Sequence, residues 1–118
     1  MKSLIASLIL FSLMIIGVIA NAFAVRGLTE ELSVKIEALD TPDVSSAQSF
    51  LDFWLSHAEW VRLSAGFAAT DRITEQAMTL LASAEVGDVF SYHTALALLS
   101  DAIEDLARHE RFSFENLL

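Results

Sequence analysis

The chain has no cysteine, one proline, four glycines and only seven Lys and Arg residues against sixteen Asp and Glu. Each shortage excludes something. Without cysteine there is no disulfide framework, no thiolate nucleophile and no Cys-based metal site. With Pro42 and four glycines in 118 residues, turns must be few and elements long. With so few cations, the chain lacks the basic surface that neutralises nucleic-acid phosphates. No G-x-S-x-G, phosphate-cradling glycine loop or H-E-x-x-H is present, so no nucleophile or metalloprotease motif suggests an enzyme.

What is present is a long apolar run. Leu4 to Val25 carries no charge, with Lys2 before it and Arg26 after it; Ser7, Ser12 and Asn21 are its clearly polar members. As a helix it reaches about 33 Å, against a hydrocarbon core of about 30 Å. The expectation is an anchor over residues 1–26 that contacts the bilayer through residues 4–25. The other reading is a secretory signal peptide with Ala22-Phe23-Ala24 as its cleavage site, although the run exceeds the usual h-region. Both readings export the remainder. The positive-inside count is nearly balanced, and the short lysine-bearing N-terminus favours N-inside with the bundle outside. Gly17, Ala20 and Ala24 share a face, and small residues so spaced let helices approach closely in lipid, with a partner span or a second copy of this chain.

The segment after Val25 holds all sixteen acidic residues and six basic ones, a formal −10. That charge opposes lying flat on anionic lipid. No stretch alternates with period two, so the expectation is an all-α domain over 27–118, a small antiparallel bundle of three to four helices into which the anchor continues. Leu28, Leu32, Ile36 and Leu39 form one stripe, with Gly27 a candidate kink. Asp40-Thr41-Pro42-Asp43 stops that helix, and Thr41 is the expected N-cap of a second running from Pro42 to Ala65. Along it Val44, Ala47, Leu51, Trp54, Ala58, Val61 and Ala65 step by three and four, with Phe50, Phe53, His57 and Trp60 in the adjoining row. The wheel puts Trp54 inside and Trp60 at the edge, available to a partner. Gly66 is expected to end this helix in a left-handed conformation, and a third to start at Thr70 or Asp71. Gly87 ends the third and Asp88 caps the fourth, where Glu104 and Arg108 are placed as an i,i+4 pair.

Polar candidates read mostly as structural. His57 sits between Phe53 and Trp60 and points away from Glu59, so the two cannot chelate one metal. Asp101, Asp105 and His109, with Glu104 alongside, form a surface row better read as a solvated acidic face than as a cation site; no cofactor or metal is expected. Phe112 and Phe114 belong to an apolar tail expected to dock beside the last helix, and they join Trp60 as candidate contacts.

The closing Glu-Arg-Phe-Ser-Phe-Glu-Asn-Leu-Leu, the Met-Lys start with its one apolar span, the Trp-containing helix and its His57-x-Glu59 element together resemble the family catalogued as domain of unknown function 4363. The resemblance covers the whole chain, which is less lysine-rich and richer in alanine than that family's members. It implies a small membrane-anchored helical protein of Gram-positive, often spore-forming bacteria, without an established activity. Some of that family's genes lie beside multi-pass membrane proteins of uncharacterised family 421, which implies an integral membrane partner. The expected function is thus a non-enzymatic accessory or scaffold subunit. The alternative is a secreted or tethered module that binds a small ligand or cation in a cavity lined by Phe50, Phe53 and Leu96. A cytoplasmic bundle of inverted topology is a third reading.

Overall fold

The computed structural model describes the backbone of residues 1–117 and the side chains of residues 1–109. Four helices follow one another: α1 (Lys2–Glu37), α2 (Val44–Ala65), α3 (Phe67–Val86) and α4 (Val89–Leu117). No strand occurs among the described residues. The fold is a long apolar N-terminal helix that continues into an up-down helical bundle. α1 is long and apolar enough to cross a membrane.

The expected kink at Gly27 is absent, and α1 passes through it as regular helix. Most of its lower residues are exposed, Ile15 and Ile19 are half-buried, and Val25, Leu28 and Leu32 are buried, as is Leu39 just beyond its end. Packing therefore begins inside the apolar run. Asn21 already takes a 2.6 Å hydrogen bond from the Ser64 hydroxyl on α2. Val25, the last residue of the run, is wholly enclosed. The wholly exposed stretch is Lys2 to Met14, about 20 Å of helix.

The core joins α1 to Phe50, Trp54 and Val61 of α2, Ile73 and Leu80 of α3, and Tyr92, Leu99, Ile103 and Leu106 of α4. Two polar pins fix its registers. The buried Trp54 indole N–H donates to Thr74 Oγ1 at 2.7 Å, tying α2 to α3. The buried Tyr92 hydroxyl donates to the Leu39 carbonyl at 2.6 Å, so α4 caps the free end of α1. Burial, then the charges of Asp43 and Asp40, push the Tyr92 phenol above its ordinary pKa.

The turns depart from expectation in three places. Asp43, not Thr41, caps α2: its carboxylate accepts from the Ser45 and Ser46 amides and the Ser46 hydroxyl, and α2 starts at Val44 rather than Pro42. Gly66 ends α2 with φ 93° and ψ 172°, a positive-φ but extended conformation rather than a left-handed one. That geometry restarts the chain as helix at once, so α3 begins at Phe67, and Thr70 is buried with its hydroxyl on the Gly66 carbonyl. Gly87 behaves as expected, left-handed at φ 74° and ψ 22°, and Asp88 caps α4 through Ser91.

Three predictions follow from these contacts. Thr74→Val strips the buried indole N–H of its acceptor and should cost about 1–3 kcal/mol in denaturant unfolding, while Thr74→Ser should cost little. At Gly27 an added Cβ would meet nothing within 4 Å. Gly27→Ala should therefore stabilise the fold by about 0.5–1 kcal/mol. The hydroxyls of Ser46 and Ser91, with backbone amides, hold the Asp43 and Asp88 carboxyls below their ordinary pKa. A depressed folded-state pKa gives stability that is present above the ordinary carboxylate value of about 4 and lost as pH falls through the lower one. Thermal melts should show that loss below about pH 4, and Asp43→Asn with Asp88→Asn should flatten it while keeping the caps.

Candidate partner-binding site

At about 100° per residue, Gly17, Ala20 and Ala24 fall within an arc of about 60° on α1, roughly 80° round from the buried line of Val25, Leu28 and Leu32. All three are exposed. The same flank carries Lys35, whose ammonium sits 4.5 Å from the centroid of Phe53 on α2. The small-residue face thus opens toward the α2 side of the molecule.

On that side α2 presents a ladder of rings. Phe53 and His57 have centroids 4.5 Å apart, and His57 and Trp60 are 6.4 Å apart in an edge-on arrangement. His57 is half-buried, and its Nδ1 lies 2.9 Å from the Phe53 carbonyl. The Ser56 hydroxyl lies at the same 2.9 Å from Nδ1, so the ring is held by groups of its own helix. Trp60 is half-buried beside it and Trp54 is fully enclosed, as the wheel places them. Because α1 and α2 run antiparallel and Ser64 meets Asn21, Trp60 stands one turn higher, at about the level of Ala24. The aromatic ladder and the small-residue face are therefore one above the other on one flank. Phe112 and Phe114 lie within α4 as it continues to Leu117, and their side chains are outside the described residues.

The opposite flank holds a feature that periodicity did not suggest, a groove of about 660 Å³ between α1 and α4. Phe23, Val25, Val34, Ile103 and Ala107 supply its apolar wall and Arg26 and Glu30 its charged rim, paired with each other at 3.4 Å. It is not lined by Phe50, Phe53 or Leu96. Phe50 is core, and the other two pack partly buried against it. Pattern reading treats each helix singly, whereas the groove depends on the spacing between two of them.

The acidic row on α4 is spent on tertiary contacts. Arg72 of α3 reaches Asp105 at 2.7 Å and Asp101 at 3.1 Å, and those two carboxylates, Asp105 first, raise the guanidinium pKa. Arg108 does not make the expected pair with Glu104: it turns to Asp105 at 3.2 Å, and Glu104 lines the groove. Among the described residues no three His, Asp or Glu side chains gather as metal ligands do.

Compared with known proteins, the chain matches no family model, no curated protein and no solved structure.

Proposed function

We propose that this is a single-pass membrane protein whose bundle lies outside the cytoplasm and acts, without catalysis, as an accessory or scaffold subunit of an integral membrane protein. One observation carries the reading: the exposed Gly17–Ala20–Ala24 face and the half-buried Trp60 ladder stand on one flank of the molecule. A partner in the bilayer can pack against the small residues and continue onto the ring of Trp60 without bending. Small residues permit close helix approach in lipid, and tryptophan edges are frequent energetic centres of interfaces. The anchor would hold the bundle at high effective concentration beside such a partner. The resemblance to domain of unknown function 4363 points the same way.

The α1–α4 groove favours a second reading, a secreted or tethered module that takes a small, partly apolar ligand. Its size lies within the range usual for ligand pockets, about 300–1,000 Å³.

Crosslinking and purification of the tagged full-length chain from native membranes separates the two. The expected result is near-stoichiometric recovery of one multi-pass protein. Gly17→Leu with Ala20→Leu, and separately Trp60→Ala, should each cut that recovery about tenfold, the equivalent of about 1.4 kcal/mol. Recovery of this chain alone, or a shortened chain in the medium, would sink the subunit reading. A reporter fused at the C-terminus should be active only outside the cytoplasm.

A further inference from the structure

Both ends of the bundle expose apolar side chains, Val86, Val89 and Phe90 at the far end among them, but they differ in charge. The far end is joined by Asp40-Thr41-Pro42-Asp43 and Gly87-Asp88, polar turns with three acids. The near end is the α2–α3 hairpin, and from Leu63 to Thr70 it has no charged residue at all. Leu63 is 89 % exposed and Phe67 70 % exposed, on either side of Gly66. Two helices that meet in water are usually joined by residues that prefer water. Here a tight turn pushes a leucine and a phenylalanine outward.

Their height sets them apart from the exposed Val86, Val89 and Phe90 of the far end. The hydrogen bond from Ser64 to Asn21 places this hairpin near the upper end of the uncharged run Leu4 to Val25. That run accounts for about 33 Å, so the outer edge of a hydrocarbon core of about 30 Å falls close to Asn21. Leu63 and Phe67 project at that level, and Phe23 of α1, 65 % exposed, lies there too. Arg62 completes the set: its guanidinium sits 5.5 Å from the Phe67 centroid and 3.2 Å from Asp71. A long cation over an aromatic ring is the pairing that settles among lipid headgroups, with the stem in the apolar zone and the charge in water.

We infer that the α2–α3 hairpin dips into the bilayer interface, with Leu63 and Phe67 among the upper acyl chains and headgroups, so that the bundle grips the membrane at a second point beside its anchor. The contact is apolar. It requires no anionic lipid and is compatible with the acidic charge of the domain. It rests on α1 being a retained span, and the test reports that separately.

The chain has no cysteine, so single cysteines carrying a polarity-sensitive fluorophore can be placed in the full-length protein in phosphatidylcholine nanodiscs. Four sites suffice: M14C within the span, L63C and F67C at the hairpin, and F90C at the far end, where Phe90 is 82 % exposed. The expected result is blue-shifted emission at 63 and 67, quenching there by nitroxides on lipid headgroups and shallow acyl positions, and shielding from aqueous iodide. Site 14 should be quenched by deep nitroxides, and site 90 should behave as in water. If 14 is lipid-buried while 63 and 67 respond like 90, the hairpin proposal is overturned and the anchor stands. If 14 also responds like 90, the span itself fails. Shielding of 63 and 67 in native membranes but not in nanodiscs would assign the hairpin to a protein partner and overturn the lipid assignment.

Discussion

Val25, Leu28, Leu32 and Leu39 bind the upper half of α1 into the core, and an unbroken backbone carries that register down to Lys2. One helix therefore carries two patterns along a single axis. In the upper part it presents an apolar stripe to the core; in the lower part it is apolar all round, long and apolar enough to cross a membrane. The two overlap: Ile15 and Ile19 are already half-buried and Val25 is enclosed before the apolar run has ended. Every other element takes its height from this overlap. Ser64 meets Asn21 at the bottom and Tyr92 meets Leu39 at the top, and between these fixed points α2 and α4 have little freedom to slide.

The remaining order comes from a few polar contacts set into an apolar core. Burial of Trp54 alone would favour many registers, since apolar contact is non-directional. The indole N–H has one acceptor, Thr74, and an unpaired buried donor is costly, so one register prevails. On the surface Arg72 does similar work more weakly, joining α3 to two carboxylates of α4. Such exposed pairs contribute little each and are screened by salt; they trim the packing rather than create it.

Much of this was legible from the chain. Steps of three and four along α2 gave Trp54 to the core and Trp60 to the edge, and Gly87-Asp88 marked a helix end and a helix start. The turn at Gly66 was read too long because Thr70 and Asp71 both look like caps. The structure instead restarts α3 at Phe67 and uses the Thr70 hydroxyl inside the helix, a choice made by the glycine's backbone conformation, which residue type alone does not specify. Asp43 displaced Thr41 for a related reason: the cap is whichever side chain the backbone aims at the first amides. Glu104 and Arg108 have the right spacing to pair, but Asp105 already holds Arg72 and draws Arg108 as well. The juxtaposition of the small-residue face with Trp60, and the groove on the opposite flank, arise from how α1 sits between α2 and α4. No single-helix pattern encodes that.

The absence of a hinge at Gly27 turns α1 into a lever. Asn21 to Glu37 spans about 24 Å of straight helix. Membrane spans tilt by about 20° on average. With the axis straight, such a tilt would carry the top of α1 sideways by about 8 Å, and the bundle with it. Local bilayer thickness or the lean of a neighbouring span would then appear at the far end as displacement of Tyr92 and the acidic turns. A flexible linker would absorb that motion; a straight helix would transmit it.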